Sequence, residues 1–149
     1  MAHTALTFQV VIDSADPHTL ADWWADAIGW DLEPSNEDFI RRMVAEGQAT
    51  EADTKTHNGV LVWAVGQAIV HPDGRDAGPG ARVLFQAVPE PKTVKNRVHL
   101  DVKVGEGSLE SEVERLTGKG ATVVYRGQQG PTRWVTVADP EGNEFCLHS

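Results

Sequence analysis

Four residues of this chain have side chains suited to holding a metal ion or hydrogen-bonding a ligand, and each has the same surroundings. They occur as Phe8-Gln9-Val10, Phe85-Gln86-Ala87, Val98-His99-Leu100 and Phe145-Cys146-Leu147. Side chains alternate faces along a pleated strand, so Gln9, Gln86, His99 and Cys146 should point away from the face their apolar neighbours occupy. Imidazole and thiolate are good ligands for Zn²⁺ or Ni²⁺, whereas neutral amide oxygens are poor ones. The set offers at most one anion, and that one requires the thiol to ionise. Cys146 therefore has three readings: a small wall residue, a soft ligand paired with His99, or a nucleophile activated by it.

Other residue types fit around these four. Asp101 shares strand parity with His99, and Glu144 and His148 share it with Cys146. Trp63 and Trp134 lie in strand-like segments, where an indole offers a flat apolar surface and one N–H. Amides, an imidazole, a thiol and aromatic walls together suit an organic ligand held by stacking and hydrogen bonds. Core filling is the competing role for both tryptophans. His3, His18, His57 and His71 fall at a terminus, a helix start or loops and read as solvated surface histidines.

The elements that would position these side chains repeat along the chain. Residues 6–13 alternate as a strand, and Asp16 with Pro17 opens a helix that Gly29 can end, with Leu20, Trp23, Trp24, Ala27 and Ile28 as its apolar stripe. Further strands are expected at 30–33, 59–70 and 81–88. From 97 to 104 the alternation returns, followed by a helix capped by Ser108, with Leu109, Val113 and Leu116 as its stripe. Three more strands close the chain, at "ATVVYR", "TRWVTVAD" and "EFCLH". The pattern is a tandem β-α-β-β-β repeat over about 6–88 and 97–148, within one domain spanning 1–149. The first half carries an insertion at 34–58. There Ser35 and Asp38 suggest a capping box, and the polar stretch 48–58 suggests a mobile loop.

Composition sets the outer limits. The 149 residues carry 13 Lys+Arg against 22 Asp+Glu, a net charge of −9, which argues against nucleic-acid and anionic-membrane partners. No apolar run is long enough to span a bilayer, and the N-terminal residues lack the features of a signal peptide. One cysteine forms no internal disulfide, which points to a cytoplasmic protein. Strand edges that one helix per half leaves uncovered point to a homodimer, with Trp23 and Trp24 as a candidate contact.

The doubled pattern, "KNRVHLDV" and the ending "DPEGNEFCL" together resemble the vicinal oxygen chelate superfamily, in particular its glyoxalase-like and bleomycin-resistance-like members. The resemblance implies an α+β fold in which tandem β-α-β-β-β modules form a partly open barrel of mixed sheets. It also implies a divalent metal held by Gln or His, Glu, His and Glu on the first and last strands of the two modules. By position these are Gln9, Gln86, His99 and Cys146, so the two expected carboxylates are an amide and a thiol. An amide cannot abstract the proton that glyoxalase I chemistry requires. The donor set thus favours a metal-free pocket over one holding a divalent metal. The expectation is a protein that binds a small organic molecule, with an enzyme of lyase, isomerase or dioxygenase type among the functions the resemblance implies and a ligand-sequestering protein as the alternative. A dioxygenase-like site would need two histidines and a carboxylate, for which His99, His148 and Glu144 are the candidates.

Overall fold

The computed structural model describes residues 3–105 and 107–149. The chain forms two compact units, Met1–Glu90 and Pro91–Ser149. Each unit builds an open, four-stranded mixed sheet with a helix on one face.

In the N-terminal unit, β1 (Val10–Ser14) leads into α1 (Pro17–Ile28). The Asp16 carboxylate caps α1 by accepting from the Thr19 N–H at 3.3 Å and the Thr19 hydroxyl at 2.8 Å. Gly29 ends the helix at φ 70°, in the left-handed region. The buried stripe of Leu20, Trp24 and Ala27 lies over the sheet, with Trp24 tilted against Phe85 at 6.4 Å between ring centres. β2 (Asp31–Leu32), β5 (Gly66–Val70) and β6 (Arg82–Ala87) complete the sheet in the order β1-β6-β5-β2, with β1 and β6 parallel.

The insertion is more ordered than its polar composition suggests. α2 (Glu37–Ala45) is capped by Asn36, whose side chain accepts from the Phe39 N–H at 3.0 Å. Ser35, expected in a capping box with Asp38, instead donates to the Leu61 carbonyl at 2.7 Å. A 3₁₀ turn (Glu51–Asp53) leads into β3 (Thr54–His57), which pairs with β4 (Val60–Trp63). The expected loop at 48–58 therefore contains a hairpin strand, and the expected strand 59–70 divides into β4 and β5. Backbone pairing, together with side-chain anchoring by His18 and His57, replaces the apolar burial that this stretch lacks.

The C-terminal unit holds β7 (Asp101–Lys103), α3 (Leu109–Gly118), β8 (Thr122–Gln129), β9 (Thr132–Ala138) and β10 (Glu144–His148). Its order is β7-β10-β9-β8, with β7 and β10 parallel. Counted within each sheet, the order matches that of the N-terminal unit: first, fourth, third, second. The tandem repeat read from the sequence is thus present in the topology. Leu109, Val113 and Leu116 of α3 are buried, as are Val135, Val137, Phe145 and Leu147 on the covered face of the sheet.

The DPEGN segment is the turn between β9 and β10. The buried Asp139 carboxylate accepts from the Glu141 N–H at 2.9 Å and the Asn143 N–H at 3.0 Å, and also from the Asn143 amide. Gly142 takes φ 91° at the tightest point.

Both first strands are shorter than the alternation predicts. Phe8 and Val98, expected beneath helices, are exposed. β6 begins at Arg82 and β10 at Glu144, so earlier residues of β1 and β7 have little strand to pair with.

Candidate functional site

The uncovered face of the C-terminal sheet gathers most of the chemically capable side chains. Cys146 is opposite Asp101 in parallel register, and in the antiparallel pairing Cys146 is opposite Thr136 and His148 opposite Trp134. Because these pairs share a face, Asp101, Cys146, His148, Thr136 and Trp134 form one patch. His99, two residues before Asp101, joins it. Its Nε2 is 3.5 Å from an Asp101 carboxylate oxygen, and the His148 Nε2 is 3.2 Å from the same oxygen. Donor atoms of His99, Asp101 and Cys146 all lie within 4.8 Å of one another. Cys146 is 6% exposed, with its Sγ 3.2 Å from the Thr136 hydroxyl. His99 and Asp101 side chains are 44% and 56% exposed, so the patch is reachable from solvent.

Trp134 borders this patch in a set orientation. A Cβ on Gly127 would lie 2.2 Å from the indole, so the ring occupies the space a side chain there would need. His148 also borders the ring, nearly parallel at 26° and 6.2 Å between centres. Glycine on β8 is what lets the indole lie across the sheet.

Glu144 shares parity with Cys146 but is already engaged. Its carboxylate is 3.3 Å from the Lys92 ammonium and accepts from the Asn96 N–H at 3.0 Å, with the side chain 11% exposed. Burial pushes its carboxyl upward, but hydrogen bonds from the backbone and the Lys92 charge outweigh this and hold it below the usual glutamate value. It fastens the segment before β7 to β10 and is not free to act as a ligand or base.

The N-terminal unit treats Gln9 and Gln86 differently. Both lie on the uncovered face of their sheet, as alternation predicts. However, β1–β6 register places Val10 opposite Val83 and Asp13 opposite Gln86. Gln9 therefore belongs beside Arg82, four positions from Gln86, or about 13 Å along the strand. The Arg82 guanidinium donates to the Gln9 side-chain carbonyl at 2.9 Å and to both Glu33 oxygens at 2.8 and 3.0 Å. The Arg82–Glu33 hydrogen bonds lower the Glu33 carboxyl below its ordinary value and raise the Arg82 guanidinium. The two glutamines are thus not equivalent in register to His99 and Cys146, a correction to the repeat alignment. A neutral amide already facing a cation is a poor metal ligand, so the ligand set implied by the resemblance does not fit.

Trp63 lines a cavity of about 330 Å³ in the same unit, together with Glu33, Gln67, Arg82 and Leu84. Close by, two histidines expected on the surface are not solvated. His18 is 1% exposed, with its Nε2 2.7 Å from the Trp63 carbonyl oxygen. His57 contacts the Asp22 carboxylate at 2.6 Å, and the two imidazoles are 5.2 Å apart. They anchor the β3–β4 hairpin to α1. Neither had a sequence signal, because their partners are 45 and 35 residues away. Arg82 was also missed, although its parity with Gln86 marks it as a resident of the same face.

An open mixed sheet repeated twice, each carrying polar groups on its uncovered face, defines the vicinal oxygen chelate class of fold. The family model described as "Glyoxalase-like domain" matches residues 9–148, and the chain belongs to that family. No curated protein matches the chain. Among solved structures, a glyoxalase family protein from Bacillus cereus is 18% identical, with a TM-score of 0.59 and coverage of 98% of this chain and 95% of that one. A glyoxalase/bleomycin resistance protein/dioxygenase family enzyme from Burkholderia phytofirmans PsJN is 14% identical, with a TM-score of 0.59 over 94% of each chain. A mutant of the fosfomycin resistance protein FosX from Listeria monocytogenes, complexed with Mn(II) and 1S,2S-dihydroxypropylphosphonic acid, is 10% identical, with a TM-score of 0.60 over 100% of this chain and 93% of that one. At these identities the likeness establishes the fold alone. Among the described residues, no helix is long and apolar enough to cross a membrane.

Proposed function

We propose that this glyoxalase-like protein binds a small organic molecule on the uncovered face of its C-terminal sheet and does not carry out glyoxalase I isomerisation. The observation that carries this reading is Trp134, held flat over Gly127 beside His148 at the edge of the His99–Asp101–Cys146 patch. A planar ligand can stack on the indole while an amine or hydroxyl donates to Asp101. The carboxylate and the chain's net charge of −9 favour a cationic ligand over an anionic one. A cytoplasmic setting suits the thiol, which stays reduced there. A second copy of the chain is the proposed macromolecular partner, since edge strand β8 exposes Val123, Val124 and Tyr125.

The missing carboxylates separate binding from turnover. With no glutamate among Gln9, Gln86, His99 and Cys146, sequestration without chemistry is the second reading. An enzyme of lyase, isomerase or dioxygenase type would have to use Asp101, His99 or Cys146 instead. Fluorescence titration with a panel of planar aromatic amines tests the binding reading. Saturable quenching that disappears in Trp134→Ala is expected. Absence of saturable quenching, or equal affinity in Trp134→Ala, would overturn it.

A further inference from the structure

We propose that the N-terminal unit carries a separate ligand site, the cavity of about 330 Å³ beside Trp63, and that it takes a neutral planar molecule with an amide edge, a carboxamide or a lactam ring. The site is independent of the surface around Trp134. None of its lining residues stands at a strand position that the resemblance assigns to a metal.

The insertion builds this cavity. Val62 and Trp63 belong to β4, and Ser35 and Asn36 lead into α2, elements that stand between β2 and β5. At the matching place in the C-terminal unit, residues 130–131 alone join β8 to β9, so that sheet has no equivalent wall. Three long-range hydrogen bonds hold the wall in position. Ser35 donates to the Leu61 carbonyl, the Leu61 N–H donates to the Glu37 carboxylate at 2.8 Å, and the His18 imidazole holds the Trp63 carbonyl. Val62 and Ala68 are buried against it. The cavity is therefore preformed, and its volume falls at the lower end of the roughly 300–1,000 Å³ range of small-molecule sites.

Its polar groups define the ligand. Besides His18, the charged residues lining it are Glu33 and Arg82, and these are already bound to each other through two hydrogen bonds. An ionic ligand would have to compete with that pair, whereas a neutral one would not. A guanidinium has five N–H groups. Two of those on Arg82 go to Glu33 and one to Gln9, so two have no partner among the described residues. The Gln67 side-chain amide donates to the Glu33 backbone carbonyl at 3.4 Å, and its own oxygen has no partner among the described residues. Unclaimed donors and an unclaimed acceptor beside Trp63, Val62 and Leu84 complement a flat ring that carries a C=O and an N–H.

Benzamide is the probe, with benzoate and benzamidine as its anionic and cationic isosteres. Each is titrated into ¹⁵N-labelled full-length protein and followed by ¹H–¹⁵N spectra. Benzamide should give saturable shifts at the Trp63 indole and the Gln67 side-chain amide. Benzoate and benzamidine should bind there about 10-fold more weakly or worse. Gln67→Leu, with circular dichroism confirming that it is folded, should weaken benzamide by about 10-fold. Four results would each refute the site: no saturable shift, shifts at the Trp134 indole in place of Trp63, a charged isostere binding as well as benzamide, or unchanged affinity in folded Gln67→Leu. The isostere series needs only the wild-type chain, so the proposal stays testable if Gln67→Leu fails to fold.

Discussion

At the residue scale, a single missing side chain orients the proposed binding surface. Any Cβ at position 127 would meet the Trp134 ring at 2.2 Å, so Gly127→Ala must expel the indole or bend β8. We expect a loss of about 1–3 kcal/mol in urea unfolding, as for other overpacked sites. Near-ultraviolet circular dichroism should change as well, because Trp134 would leave its position against His148. A wild-type spectrum and stability would show that the ring is not held there. His18 offers a parallel case in the other unit. Its removal strands the Trp63 carbonyl, so His18→Ala should cost about 1–3 kcal/mol, read by the same measurement.

At the scale of elements, turns and linkers hold the strands in register. Asp139→Ala would leave two backbone N–H groups and the Asn143 amide of the β9–β10 turn without their acceptor, and we expect a drop of about 2–3 kcal/mol in thermal or urea stability. Glu144 gives a pH signature. Its carboxyl titrates below the ordinary value in the folded state, so its contribution is full at neutral pH and is lost as pH falls through that lowered value. Glu144→Gln should therefore lose stability at pH 7 and show a shallower decline than wild type below pH ~5. Parallel declines would mean that the carboxylate adds nothing through its charge. The hairpin supplies a third check: amides of β3 and β4 that pair across the ladder should be protected from hydrogen exchange, and free exchange throughout 54–63 would contradict the pairing.

At the scale of the whole molecule, the lack of any glutamate among Gln9, Gln86, His99 and Cys146 bears on activity. The protein should not isomerise the methylglyoxal–glutathione hemithioacetal at enzymatic rates with Zn²⁺, Ni²⁺ or Co²⁺ added. Robust metal-dependent turnover would contradict this. The exposed apolar residues of β8 lead us to expect a dimer, and light scattering at the single-chain mass of 16.2 kDa would exclude one.

Much of this was legible in the sequence because period-2 and period-3.6 patterns record which side of an element meets the core. The tandem repeat, the caps at Asp16 and Gly29, and the shared facing of His99, Asp101 and Cys146 all follow from that local information. Alternation assigns a face but not a register. Only the folded chain put Gln9 beside Arg82 and Gln86 opposite Asp13, while placing Cys146 opposite Asp101. The same limit explains Glu144, whose parity was right but whose carboxylate was claimed by Lys92 and Asn96, and the buried His18, whose partner is 45 residues away. Facing is decided between neighbours in the chain, whereas register and pairing are decided by contacts between distant segments, which a single sequence does not spell out.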